Sequence, residues 1–311
     1  MEKTEIRSAV VNGPLGTVGM ALVRNLLEKG VETWAVCYPG DKRIGNLPVG
    51  AKVVECDMRE IRTLPEKVSH TDAFFHLAWM GTIGPGRNDT LVQTENIRCA
   101  VEAVKAAGQL GCKVFVGVGS QAEHGRIEGK VTADAPCFPT NGYGIAKLCA
   151  GQMTRLECAQ IGIRHVWARI LSAYGPGDGP LSVIPSMLDK LLKGEKPSLT
   201  KGEQLWDFCF SGDVAEALCC MAVSGMDGKI YPVGSGTVRP LREYFEMVRD
   251  AVDPSLPLGI GERPYNENQV MYLQADLTPL TEDTGFVPKV SFEEGIQRTL
   301  KAYREQLEKQ G

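Results

Sequence analysis

No apolar run in this sequence approaches the ~20 residues that a bilayer-crossing helix needs. No apolar core follows residues 1–5, so a secretory leader is not expected. A strong charge imbalance is also missing. A net charge of −4 over 311 residues argues against nucleic-acid or membrane-surface partners and leaves small anionic molecules open. Histidine is scarce, and the four present (His70, His76, His124 and His165) show no ligand spacing with each other or with cysteine, so no metal site is expected. Ten cysteines are present, but no CxxC pair; they lie mostly inside apolar runs. They read as small buried hydrophobes in a reducing compartment, not as a disulfide frame or zinc site. No internal repeat or low-complexity tract occurs. The default expectation is a cytoplasmic protein with a large core.

What is present is alternation. Strand-like runs at 6–11, 32–37, 52–56, 73–77, 113–118 and 164–170 are separated by helical patterns at 17–29, 89–107 and 143–160, with 60–68 partly helical. On the helix at 89–107, Val92, Ile97, Val101 and Val104 lie on or near one face. Repeated βα units with continuously apolar strands predict a parallel sheet covered on both sides. After Gly177 the elements become shorter and mixed. Helices are expected at 184–192, 214–223 and 241–252, strands at 206–210 and 229–233, and a last helix near Ser291. The fold class expected is α/β: a Rossmann-type doubly wound parallel sheet over 1–175, with a smaller mixed α/β C-terminal substrate lobe over 176–311. Some later segments are expected to return to the first part.

Three glycines, Gly13, Gly16 and Gly19, stand three apart between the first strand and first helix, with Leu15 among them. A glycine turn at a helix N-terminus admits a pyrophosphate against free N–H groups. A tight βα connection without a ligand would carry the same glycines.

Farther along, Tyr143 and Lys147 are four apart and share a helix face. An ammonium beside a phenol favours the phenolate and lowers its pKa from ~10, which suits proton exchange with an alcohol oxygen. The bland alternative is a packed tyrosine and a solvated lysine. Ser120 ends an apolar strand, where ligands sit in open α/β sheets. It is either a hydrogen-bond donor to a reacting carbonyl or a turn serine.

Taken in order, the glycine turn, Asp57 after the third strand, His76, Leu77 and Ala78 ending the fourth, Ser120 and YxxxK resemble the extended short-chain dehydrogenase/reductase family. Residues 169–176 resemble its RxxNxYGP segment, and residues 284–295 its closing motif. The resemblance spans the chain and is greatest to the branch of NAD(P)-dependent nucleotide-sugar epimerases, dehydratases and reductases. It implies that Gly13, Leu15, Gly16 and Gly19 hold a dinucleotide pyrophosphate. It further implies that Asp57, with Met58 beside it, meets the adenine, and that Leu77 and Ala78 pass the ribose. Ser120, Tyr143 and Lys147 would form the catalytic group, with Lys147 also holding the nicotinamide ribose.

Departures from the family pattern narrow the expectation. Dehydratases carry an Asp-Glu pair after the catalytic hydroxyl, where this chain has Gln121 and Ala122; Glu123 is one place too far and, on a strand-like backbone, faces away. A 4,6-dehydratase is therefore not expected. Ser172 replaces the Asn of RxxNxYGP. Trp206 stands where an arginine usually meets the substrate diphosphate, and either stacks on the substrate or packs the lobe. Arg263 fits another phosphate contact or is a solvated surface residue. Gln121, Trp206 and Arg263 are the candidate substrate residues. The glycine-rich loop 81–88 is either a flap over the sugar or a flexible connection.

Cofactor choice turns on the end of the second strand. An NAD user commonly has a carboxylate there; this chain has Tyr38, with Asp41, Lys42 and Arg43 following. Cations near that turn favour NADP(H), with NAD(H) the alternative. The function expected is epimerisation or 4-ketoreduction of a nucleotide sugar. A reductase of another carbonyl compound and a non-catalytic cofactor sensor remain as alternatives. The resemblance also implies a homodimer through the helices at 89–107 and 143–160.

Overall fold

The computed structural model describes residues 4–127, 129–266 and 269–308. Its centre is a seven-stranded parallel sheet. The first five strands in the chain are β1 (Ser8–Asn12), β2 (Glu32–Cys37), β3 (Lys52–Glu55), β4 (Ala73–His76) and β5 (Val114–Ser120). They line up as β5-β4-β1-β2-β3, and strands Arg164–Ile170 and Lys229–Val233 extend the β5 edge in that order. The order reverses beside β1, which makes the ends of β1 and β4 a topological switch point, the usual ligand position in such sheets.

Both faces of the sheet are buried, which explains its unbroken apolar strands. Alternation in β1 divides the core: Ala9 and Val11 join the cluster containing Leu22, Val23 and Leu26 of helix α1 (Thr17–Glu28). Val10 joins Phe74 and Phe115 beneath helix α2 (Thr90–Gln109), at Ala103, Val104 and Ala107. Helix Ser211–Ser224 packs on α1, and helix α3 (Gly142–Ile161) packs on α2. The strand Lys229–Val233 therefore brings late chain back to the sheet edge.

Two glycines of β5 have a packing reason. A Cβ on Gly117 or Gly119 would run into Trp167 of the neighbouring strand, and one on Gly151 of α3 would do the same. The indole fills a slot that small residues leave.

The later chain differs from expectation at one strand. Residues 206–210 do not form one strand but two, Leu205–Trp206 and Phe208–Phe210, in different sheets. Asp207 is the cause. It is fully buried, and its carboxylate accepts from Ser235 N at 2.7 Å, Ser235 Oγ at 2.6 Å, Gly236 N at 3.0 Å and Ala275 N at 3.0 Å. Such a clasp joins three segments far apart in sequence and turns the chain between sheets. No described helix is long and apolar enough to cross a membrane.

Candidate active site

The site begins at the turn between β1 and α1. Gly13 has φ +93°, in the left-handed region that glycine enters without strain. A Cβ there would lie 2.5 Å from Ala78 N, and one on Gly19 would strike the Gly13 carbonyl. Gly16 differs: its Cβ direction is open for 4 Å, and it caps α1 without a side-chain hydrogen bond. The first N–H groups of α1 are thus left for an outside acceptor, and no acid stands in its first turn. This turn lines a cavity of about 520 Å³, reaching Tyr38, Asp57, Leu77, Ala78 and Trp79. Gly13, Leu15, Gly16 and Met58 also line it. The shape and chemistry suit an extended dinucleotide with its phosphates at α1.

At the far end, two arginines flank the cavity. Arg43 donates to both Asp41 oxygens, at 3.0 and 2.6 Å, and the guanidinium holds that carboxyl down at about 2. Arg59 pairs with Asp57 in the same way, through Nε and Nη2, and lowers that carboxyl also. Asp57 lines the cavity, with Arg59 on both of its oxygens. One expectation needs correction here. Lys42 is exposed and does not line the cavity; Arg59 is the second cation there.

The three residues expected to react come together at the tip of β5 and the start of α3. Ser120 ends β5 and caps the short 3-10 turn Gln121–Glu123, accepting from Ala122 N at 3.2 Å. Gln121 is half-buried beside it. Asn141 caps α3 by accepting from Gly144 N at 2.9 Å, which sets Tyr143 in the first turn. Tyr143 is half-buried, and Lys147 is almost wholly buried one turn on. The expected charge relation between them is not the one observed. Lys147 Nζ donates to Val118 O at 2.6 Å and lies 3.8 Å from the Trp79 ring, but 6.0 Å from that of Tyr143. Burial pushes the Lys147 ammonium down to about 7. Burial also holds the Tyr143 phenol above its ordinary value, with the Ser120 hydroxyl and then Arg87 acting the other way. Desolvation wins where helix spacing alone suggested a lowered phenol.

Glu123 is drawn into the interior, where the backbone after Ser120 is a 3-10 turn and not strand. Its carboxylate is fully buried, accepting from Ser120 N at 2.8 Å, Trp167 Nε1 at 3.1 Å and Arg169 Nε at 2.7 Å. His76 closes the end of β4. Its Nδ1 meets Asn12 Nδ2 at 3.1 Å, and burial pushes it down to about 3, so it is neutral.

Two departures noted in the sequence meet each other. Trp206 Nε1 donates to Ser172 Oγ at 2.8 Å. Both line a second cavity of about 370 Å³, with Arg263, Asp178 and Phe208. Trp206 is half-buried and Arg263 exposed, so each has a face toward that space.

Several site residues escaped the sequence reading: Trp79, Arg87, Gln93, Asn96 and Arg59. Gln93 and Asn96 are both buried on α2. Gln93 accepts from Trp79 Nε1 at 2.9 Å and donates to the Gly81 and Gly86 carbonyls. Asn96 takes both polar groups of the Met80 backbone. The loop after β4 is therefore tied down and is not a free connection. The available signal was two polar residues three apart on the same face as Ala100, Ala103 and Ala107. Of the face named from Val92, Ile97, Val101 and Val104, Val104 is fully buried and the other three are half-buried.

Comparison with known proteins places this geometry. Residues 9–234 match the family described as the NAD dependent epimerase/dehydratase family. A mouse dTDP-D-glucose 4,6-dehydratase is 26% identical over 211 residues, 65% of this chain and 58% of that protein; the match spans less than two thirds of its length. The UDP-N-acetylglucosamine 4-epimerase of Methanobrevibacter ruminantium M1, in complex with UDP-N-acetylmuramic acid, superimposes with a TM-score of 0.87 at 20% identity, covering 97% of this chain and 100% of that one. The Thermus thermophilus UDP-glucose 4-epimerase, in complex with NAD, gives 0.84 at 22% identity, covering 96% and 99%. At these identities the two structures establish a shared fold.

Proposed function

The chain belongs to the NAD dependent epimerase/dehydratase family, and from that premise we propose that it oxidises or reduces C4 of a nucleotide-linked sugar, as a C4 epimerase or a 4-ketoreductase. One observation carries this reading: Ser120, Tyr143 and Lys147 lie together at the tip of β5, and Trp79, which packs on Tyr143 and Lys147, is a wall of the cavity that suits a dinucleotide. When bound, the nicotinamide supplies hydride exchange with the sugar carbon. Ser120 donates a hydrogen bond to the sugar oxygen, and Tyr143 passes a proton to or from it. Lys147 would hold the nicotinamide ribose. In our reading residues 1–175 make up the cofactor part, with later segments returning to it, and 176–311 the substrate lobe.

We do not expect 4,6-dehydration of this chain, although the mouse relative bears that name. Water elimination needs an acid and a base beside the sugar, and Gln121 and Ala122 are neither. Glu123 is spent on Arg169, Trp167 and the Ser120 backbone. The second cavity keeps one alternative open, a carbonyl substrate without a diphosphate, because Trp206 and Asp178 line it and Arg263 is the one cation among its described lining residues.

The deciding experiment isolates the protein, measures retained cofactor, and offers UDP-, dTDP-, GDP- and CDP-sugars. Tightly held NAD+ with reversible C4 inversion establishes an epimerase. Stoichiometric NADPH loss on a 4-keto sugar establishes a reductase. A 4-keto-6-deoxy product from a hexose would sink the expectation of no dehydration, and turnover only of carbonyl compounds lacking a nucleotide favours the alternative.

Within this NAD-dependent family we assign this chain a preference for NADP(H). Asp41 is occupied by Arg43, and Arg43 and Arg59 flank the adenosine end. Arg43→Ala is expected to weaken NADP(H) by about tenfold or more, the worth of one charged hydrogen bond, and not to weaken NAD(H), since it frees the Asp41 carboxylate. A fluorescence titration with both cofactors checks this; tighter NAD(H) binding in the unmodified protein would refute it.

We further infer a homodimer through α2 and α3. Ile145, Met153 and Leu156 are 54%, 45% and 51% exposed along α3, and Leu91 on α2 is 81% exposed. Apolar exposure along paired helices fits a covered surface. Light scattering at working concentration is expected to give twice the chain mass, and a monomer contradicts it.

A further inference from the structure

One charged side chain at the reacting hydroxyl has no part in the mechanism above. Arg87, in the 3-10 turn Gly84–Asn88, lays its guanidinium carbon 4.3 Å from the centroid of the Tyr143 ring. The edge of Trp79 packs against the same ring at 6.2 Å. A guanidinium stacks on aromatic faces and keeps its charge at any working pH. Lys147 is farther from the ring and tied to Val118 O, and burial works against its charged form.

The loop carrying Arg87 is fixed to the helix carrying Tyr143. Asn88 Oδ1 accepts from Gly142 N at 2.9 Å, and a Cβ on Gly142 would lie 2.9 Å from Arg87 O. Within the loop, Arg87 Nη1 donates to Thr82 O at 2.8 Å. The loop is also pinched on itself: Gly81 has φ +66°, and a Cβ there would lie 2.6 Å from Gly86 O. Buried Gln93 holds both sides of the pinch. Backbone and side chain together bring the guanidinium to one place, over the ring.

We propose that Arg87 is a positioning residue for proton transfer: it holds the Tyr143 ring in place and stabilises its ionised form. This rests on Tyr143 being the proton carrier. The charged and titratable groups facing the phenol are Arg87 from the loop, Lys147 from its own helix, and Glu123 from the turn after β5, with the Ser120 hydroxyl beside them. Glu123 opposes ionisation but is paired with Arg169. His76, near Lys147, is neutral. Arg87 is thus the permanent cation of the set.

The test uses the full chain with 3,5-difluorotyrosine, whose phenol titrates well below that of tyrosine. The Tyr143 signal is assigned in the ¹⁹F spectrum through Tyr143→Phe. Arg87→Gln is expected to raise the apparent pKa at Tyr143 by about one unit, and Arg87→Lys to restore part of the difference. With a turned-over substrate, the kcat–pH profile of Arg87→Gln moves alkaline by a similar amount. Should Arg87→Gln not fold, Arg87→Met keeps the packed stem and carries the same expectation. An unchanged titration in a folded, charge-free variant overturns the proposal. Wild-type turnover by Tyr143→Phe overturns instead the proton-carrier reading, and leaves the titration result standing.

Discussion

Tyr143→Phe is expected to lower turnover by about 10²–10⁴-fold, the range general acid–base groups contribute, without weakening cofactor binding. The substitution removes one oxygen and keeps the ring. The Arg87 stack and the Trp79 edge contact both act on that ring and remain. The glycine turn and the adenosine end lie on other elements and do not feel the change. A loss of activity therefore reports the hydroxyl alone. Cofactor affinity by fluorescence titration and hydride exchange by single-turnover absorbance separate the two quantities. Full activity in this variant would refute the assigned role. Loss of cofactor affinity alongside activity would mean that the ring holds the cofactor, and the variant would then not isolate the proton step.

The parts of the fold that were legible are those where one local signal had no competitor. Strands 32–37, 164–170 and 229–233 are apolar runs bounded by Gly or charge, and the structure has them at those limits. The run at 206–210 had a hidden competitor in Asp207, whose backbone partners lie 28, 29 and 68 residues away. No local pattern announces such a clasp. The same logic governs the site. Tyr143 and Lys147 share a helix face, as their spacing requires, but the ammonium has a better partner in the Val118 carbonyl of β5. Spacing gives proximity along one element and is silent on what the next element offers. The glycines of residues 81–88 look like flexibility in sequence; in the structure Gly81 and Gly86 allow a pinch that Gln93 closes. Lys42 and Arg43 looked equivalent as cations, yet only Arg43 is drawn in, because Asp41 caps its own turn and the guanidinium forks onto it.

Glu123→Ala is expected to destabilise the fold by about 3–5 kcal/mol, the cost of removing one partner from a buried ion pair. Glu123 is fully buried and the Arg169 side chain 3% exposed, so solvent cannot replace the lost carboxylate. Alanine leaves the guanidinium unpaired and strips the acceptor from Trp167 Nε1 and Ser120 N. Glu123→Gln keeps the shape and one acceptor oxygen, so its cost is expected nearer 1–3 kcal/mol, roughly that of a weakened hydrogen-bond set. Urea unfolding with an unchanged m-value gives the comparison, and a cost for Glu123→Ala below that of Glu123→Gln would refute it. The ion pair need not stabilise the fold relative to apolar packing. A double variant, Glu123→Leu with Arg169→Met, removes both charges and is expected to recover much of the loss. It does not restore the acceptor for Ser120 N, the amide at the residue assigned to the sugar oxygen. If the double variant regains stability but not activity, Glu123 serves chiefly to set Ser120. If it regains both, the carboxylate is a stability device beneath the site, and Ser120 is held by its place at the end of β5.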